Sequence, residues 1–142
     1  MKIFIASDHA GYDMKQYLLE ESRLDMVDLG AINRNSCDYP IFAHKLCDSV
    51  LMTKNSCGIL ICSTGIGVAI TANRYRRIRA ALCVNEKMAE LSRRHNDANV
   101  IVFGADVITY AMALSCLRVF LETKFDGGRH ARRLQLIDGD VI

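Results

Sequence analysis

Cys62-Ser63-Thr64-Gly65-Ile66-Gly67 places a thiol at the end of the apolar run 57–62 and at the mouth of a turn that carries two glycines. Glycine lets backbone approach a ligand closely, and the first N–H groups of a following helix have no partner inside that helix. Such a turn stabilises an anion, whether a phosphate or an enediolate formed during a reaction, and it favours a thiolate over a thiol. A thiolate held there can carry a proton from one carbon to another near neutral pH. A strand-end cysteine taken alone is more often a buried, inert thiol; the Thr64-Gly65-x-Gly67 turn shifts the reading towards a base. A nucleotide-binding loop is excluded because Gly67 is followed by Val68-Ala69 rather than Lys-Ser/Thr. A cysteine phosphatase would need an arginine where Val68 stands, and a dinucleotide site would need three glycines where only Gly11 is near.

The histidines and arginines come next. His9 follows Asp8 at the end of the first apolar run, where a carboxylate could fix its tautomer. His95 opens the polar string His95-Asn96-Asp97-Ala98-Asn99 and could move a proton on a hydroxyl. His44 reads as a surface residue. Arg129, Arg132 and Arg133 gather with His130 near the C-terminus, and the planar guanidinium fork suits phosphate; the alternative is a solvated terminal helix. Arg74, Arg76, Arg77 and Arg79 form a second basic cluster in which Tyr75 is the one interleaved aromatic, so a surface or interface role is favoured over nucleic acid. No His, Cys and carboxylate set has the spacing of a metal site.

To position these groups, strands must end near Ser7, Cys62 and Phe103. Apolar bursts alternate with amphipathic stretches along the whole chain, the pattern of a parallel sheet flanked by helices. Strands are predicted over 2–7, 25–29, 57–62, 78–84 and 100–103, with 57–62 central. Helices are predicted over 12–22, from Pro40 to about 52, a short one ending near 73, 86–94 capped by Asn85, 109–122, and 129–137 after the Gly127-Gly128 break. The expected fold is a single Rossmann-like α/β/α sandwich of three layers with a five-stranded parallel sheet and a C-terminal tail helix. Ligands bind beyond the carboxyl ends of such strands. That selects Ser7-Asp8-His9, Cys62 to Gly67, Asn85-Glu86 and Gly104-Ala105-Asp106.

Composition agrees with one globular domain over residues 1–142: 51% of residues are hydrophobic and 24% charged. A formal net charge of +2 gives no bulk field for nucleic acid. No apolar run approaches the ~20 residues that span a bilayer, and the apolar opening is too short for a secretion signal. Six cysteines without a C-x-x-C pair fit a reducing, cytoplasmic setting.

Taken together, Ser7-Asp8-His9-Ala10-Gly11, Asp38-Tyr39-Pro40, Cys62-Ser63-Thr64-Gly65-Ile66-Gly67, His95-Asn96-Asp97-Ala98-Asn99-Val100 and Gly127-Gly128-Arg129-His130 closely resemble, in order and spacing, the type B ribose-5-phosphate isomerases. That family also holds the galactose-6-phosphate isomerase subunits. The resemblance spans residues 2 to about 137. It implies interconversion of D-ribose 5-phosphate and D-ribulose 5-phosphate through an enediolate, with no metal or cofactor. It implies Cys62 as the base, His95 as the residue that opens the furanose ring, and Thr64 with the amides of Gly65 to Gly67 around the enediolate oxygen, with Ser63, Gly65 and Gly67 among the substrate-binding residues. Asp8, Tyr39 and Asn96 would meet sugar hydroxyls or the ring oxygen, and His9, Arg129 and Arg133 the phosphate. Relatives are homodimers or dimers of dimers with sites built from both subunits. Two positions depart from the family pattern: Ser63, where many relatives have glycine, and Asp106, where an arginine for the phosphate often stands. The alternatives are isomerisation of allose or galactose 6-phosphate, and a phosphosugar-binding domain without catalysis. Joint presence of Cys62 and His95 argues for catalysis, and the lack of a resolving cysteine near Cys62 argues against a thiol-redox protein.

Overall fold

In the computed structural model, which describes residues 1–139, five strands make one parallel sheet: β1 (Lys2–Ser7), β2 (Met26–Asp28), β3 (Ser56–Cys62), β4 (Ala80–Leu82) and β5 (Val100–Gly104). Their order across the sheet is β2-β1-β3-β5-β4, and every pairing is parallel. The connecting helices are α1 (Tyr12–Glu21), α2 (Tyr39–Met52), α3 (Ile66–Ala72), α4 (Glu86–Asn96) and α5 (Tyr110–Glu122), and α6 (Arg129–Ile137) ends the described chain.

Side chains alternate across the sheet with a period of two. Ile3, Ile5, Cys57, Ile59, Ile61, Ile101 and Phe103 pack with residues of α1, α4 and α5 on one face. Phe4, Ala6, Leu60, Cys62, Val100 and Val102 pack with α2 and α3 on the other. Both faces are therefore covered, which explains the unbroken apolar runs of β1 and β3. This is the three-layer sandwich that the sequence predicts, with the tail helix α6 resting on α4.

The edge strands are shorter than predicted. Apolar character at 25–29 and 78–84 outruns strand pairing: Ile78 is 4% exposed yet lies in a turn, its N–H on the Tyr75 carbonyl at 3.1 Å. Burial, not pairing, made that position apolar. α4 runs two residues past its predicted end and stops where Asp97 turns left-handed at φ 43°.

Lys15, fully buried on α1, holds both oxygens of Asp28 at 2.7 and 2.8 Å and the Ala31 carbonyl at 2.7 Å. The loop it secures grips the end of β1: the Ser7 N–H donates to the Gly30 carbonyl and the Ala31 N–H to the Ser7 carbonyl, each at 2.8 Å. Asp8 and His9 follow directly. No described helix is long and apolar enough to cross a membrane.

Candidate active site

β1 and β3 are neighbours whose connections leave in opposite directions, β1 towards β2 and β3 towards β4 and β5. The crevice beyond their carboxyl ends is the switch point where open α/β sheets bind ligands. Asp8 and the Cys62 turn flank it. The Asp8 N–H reaches the Ile61 carbonyl at 3.2 Å, and its buried carboxylate accepts the Gly11 N–H at 3.0 Å. Asp8 thus shapes the entry to α1, and its carboxylate does not fix the tautomer of His9 as expected. The Cys37 backbone does that: its N–H donates to His9 Nδ1 at 3.2 Å, which leaves Nε2 to carry the proton of the neutral ring.

Cys62 is 5% exposed, and its Sγ accepts the Gly65 N–H at 3.2 Å. Gly65 has φ +80°, and a Cβ there would come within 3.1 Å of the Phe103 backbone, so both conformation and space demand glycine. The Ile66 N–H donates to Thr64 Oγ1 at 3.3 Å. Two of the amides expected around an enediolate oxygen are therefore engaged within the turn in the unliganded chain. Gly67 lies against Tyr39: an added Cβ would sit 2.5–2.9 Å from its ring and hydroxyl. Glycine thus lets the first residue of α2 lean onto α3 and brings the phenol to the turn.

Ser63 Oγ donates to Asp106 Oδ2 at 2.5 Å, the Asp106 N–H to the Ser63 carbonyl at 2.9 Å, and the Ala105 N–H to the Cys62 carbonyl at 2.9 Å. The loop after β5 is laced to the turn after β3. Asp106 is therefore engaged by a hydroxyl, an arrangement that sequence spacing did not reveal. Burial pushes Cys47 and Cys83 up to about 12 and Cys57 and Cys116 up to about 11, so they stay protonated and inert.

The other expected residues lie elsewhere. Gly58 is in register with Val100 and Cys62 with Gly104, and the Gly58 N–H bonds the Asn99 carbonyl at 2.9 Å. Asn99 is thus at the edge where strands start. A helix that follows a parallel strand must run back to that edge, so α4 delivers His95 and Asn96 there; the Asn96 carbonyl accepts Arg79 Nε at 2.8 Å. Four residues of strand separate that edge from Cys62, roughly 13 Å at about 3.3 Å per residue. Arg129 and Arg133 ride on α6 against α4. Within one chain the structure brings together Asp8, His9, Tyr39, Cys62, Ser63, Thr64, Gly65 and Gly67. It does not bring His95, Asn96, Arg129 and Arg133 to them, and His9 stands at the opposite end from the two arginines with which it was expected to share a phosphate.

His130 is what the sequence left unassigned at the second cluster. Its ring stacks on His95 with centroids 4.3 Å apart and planes 12° apart. Burial, then His95, Arg129 and Arg133, lower its pKa from the ordinary histidine value, with Asp126 opposing. Among the described residues His95, Asp126 and His130 form a group with candidate metal-ligating atoms within 4.8 Å of one another. Tetrahedral zinc with bonds of about 2.1 Å sets its donors roughly 3.4 Å apart. Asp126 is also held by Arg94 at 3.2 Å, and the two rings of the group are stacked. Two cavities, of about 630 and 470 Å³, also open at the strand-start edge, beside Arg79 and Asn96 and beside Asn55 and Arg93. Chemistry and volume disagree here. The Cys62 thiol, the glycine turn, Asp8 and His9 are at the other end of the strands.

A family model described as Ribose/Galactose Isomerase matches residues 3–137. A crystal structure of a ribose 5-phosphate isomerase from Thermotoga maritima superposes with a TM-score of 0.93 at 45% identity, covering 97% of each chain. A Mycoplasma genitalium ribose-5-phosphate isomerase B crystallised with bound ribulose-5-phosphate gives a TM-score of 0.90 at 38% identity, covering 98% of this chain and 95% of that one. Ribose-5-phosphate isomerase B of Escherichia coli is 36% identical over 139 residues, 96% of this chain and 93% of its own. With strand order, glycine turn and family match in agreement, the chain belongs to the ribose/galactose isomerase family.

Proposed function

We propose that this protein is an aldose–ketose isomerase that interconverts D-ribose 5-phosphate and D-ribulose 5-phosphate, with the Cys62 thiolate as base and no metal. The observation that carries this is the Cys62 Sγ···H–N Gly65 contact of 3.2 Å at the β1/β3 switch point, beside Asp8. The sulfur removes the proton on C2 of the open-chain aldose. The electron pair forms the C1–C2 double bond of a cis-enediolate while charge moves to O1, and the thiol then returns the proton to C1 as the O2 proton moves to O1. Donors at the turn, Thr64 and the Gly65 and Gly67 amides with Ser63 beside them, meet the developing negative charge. Asp8, Tyr39 and Asn96 contact hydroxyls or the ring oxygen.

His95 opens the furanose: the ring C–O bond breaks, O4 gains a proton and the O1 hydroxyl loses one. Because His95, Asn96, Arg129 and Arg133 stand at the far edge of the sheet, a second copy supplies them, in a homodimer or dimer of dimers with each site shared. His9 of one chain and Arg129 and Arg133 of the other hold the phosphate. Residues 1–142 act as one isomerase domain. Six free cysteines support a cytoplasmic setting, and the net charge of +2 supports a small-molecule partner over nucleic acid. The test is Cys62→Ala with ribose, allose and galactose phosphates assayed side by side. Turnover of ribose 5-phosphate should be highest for the native enzyme and fall on the order of 10²–10⁴-fold in the variant; near-normal turnover would remove the base.

A further inference from the structure

We propose that His130 is a positioning residue: its ring holds the His95 imidazole in the orientation that ring opening requires. This rests on the assignment of His95 as the ring-opening group. His95 lies in the last turn of α4, half-buried, and among the described residues no hydrogen bond fixes its ring. The parallel stack on His130, 4.3 Å between centroids, is what orients it.

The platform beneath is itself anchored to the helix that carries His95. The Asp126 N–H donates to the Arg94 carbonyl at 3.0 Å, and Arg94 Nε reaches the two Asp126 oxygens at 3.3 and 3.2 Å. Arg94 is tied in turn to Glu90 at 3.2 Å, one turn earlier on α4. Gly127 and Gly128, at φ +70° and +57°, reverse the chain, and the His130 N–H closes on the Gly127 carbonyl at 3.1 Å. His130 is 9% exposed, with Leu134, 8% exposed, one turn further on the same face of α6. The stack is therefore set by a chain of contacts that begins and ends on α4.

Charge supports the division of labour. Burial, then the neighbouring His95, Arg129 and Arg133, disfavour charge on the His130 ring, with Asp126 the opposing anion. A neutral platform tolerates either protonation state of His95, whereas two cationic rings at this separation would repel. His130 need not touch substrate for this.

The experiment uses the full-length native assembly. Four variants are compared: His130→Phe, which keeps a flat ring without nitrogens, His130→Leu, which fills the space without one, His95→Asn, and His130→Leu combined with His95→Asn. Leucine at 130 should lower kcat on ribose 5-phosphate about 10- to 100-fold, the range for a displaced catalytic group, with KM little changed. Phenylalanine should restore most of that loss, and leucine should add nothing once His95 is asparagine. Equal losses for leucine and phenylalanine overturn the proposal, as does a fully multiplicative double variant. A raised KM with kcat intact would instead make His130 a phosphate contact, and one equivalent of zinc bound tightly by native protein but not by His130→Leu would make it a metal ligand. Either result overturns the proposal. Failure of the isomerase assignment is distinguishable, because it shows in the native enzyme and in His95→Asn before any change at 130: no turnover of ribose 5-phosphate, or no loss on removing the His95 ring.

Discussion

Two impaired variants, Cys62→Ala and His95→Asn, should restore activity to each other when their subunits are mixed. Along the sheet alone, Cys62 stands roughly 13 Å from the edge that carries His95. Groups that act on one sugar must lie about 3–3.5 Å from the atoms they attack. No side-chain rotation within one chain closes that gap, so on the proposed mechanism each site takes Cys62 from one copy and His95 from another. In a two-fold dimer of one variant with the other, one site then carries both lesions and the other carries neither. Random re-pairing makes half the dimers mixed, and each mixed dimer has one working site of two, which gives about a quarter of native turnover per total protein. The variants are expressed with different tags, mixed, unfolded and refolded together, and assayed against each parent treated alone. If the mixture does no better than the mean of its parents while mixed dimers are recovered on both tags, the composite site is wrong.

Lys15→Met removes the cation between Asp28 and the Ala31 carbonyl. Breaking a fully buried pair costs about 3–5 kcal/mol, and because the Asp28 side chain is 37% exposed, about 2–3 kcal/mol of lost unfolding free energy is expected in urea titrations; a loss below about 1 kcal/mol would contradict a tethering role. His130 titrates lower in the folded chain than its unfolded value of about 6.5, so the unfolded chain binds the proton more readily. Its contribution to stability is complete above about pH 6.5 and is lost as pH falls through the folded value. Unfolding curves from pH 7.5 to 5 should show this, and His130→Phe should flatten the slope. Under native conditions iodoacetamide should label the half-buried Cys37 well before Cys47, Cys57, Cys83 or Cys116, whose thiols burial keeps protonated. Early labelling of any of those four would contradict the packing of the core.

What the sequence made legible was whatever has a local cause. β1 and β3 announce themselves because both faces are covered, and the tail helix because glycines precede it; each matches its predicted span to within a residue. The Cys62 turn was equally plain, since one stretch of six residues supplies both thiol and amides. The lateral arrangement was not. Nothing in His95-Asn96 states that α4 returns to the strand-start edge; that follows only from the parallel direction of β4 and β5. The same holds for the Cys37 amide on His9, 28 residues away, and the Ser63 hydroxyl on Asp106, 43 residues away, which depend on which loops share an edge. His130 was visible as a motif residue but had no spacing that tied it to His95.

The two departures from the family pattern are a single arrangement. Ser63 donates to Asp106, so a hydroxyl appears where a glycine often stands and engages the carboxylate that stands where an arginine often does. The rim of the Cys62 turn then carries two carboxylates, Asp8 and Asp106, the first capped by the Gly11 amide and the second by Ser63. On the proposed mechanism these two carboxylates repel a phosphate dianion and accept hydroxyls, which donate to carboxylates, so that His9 alone meets the phosphate at this end. The strongest cationic groups for the phosphate, Arg129 and Arg133, arrive from the second copy. Repulsion at the turn and attraction across the interface act in the same direction. On the proposed mechanism they present the carbon end of the sugar to the sulfur, and Arg129 and Arg133 of the second copy then set the distance from phosphate to base and hence the length of sugar that fits.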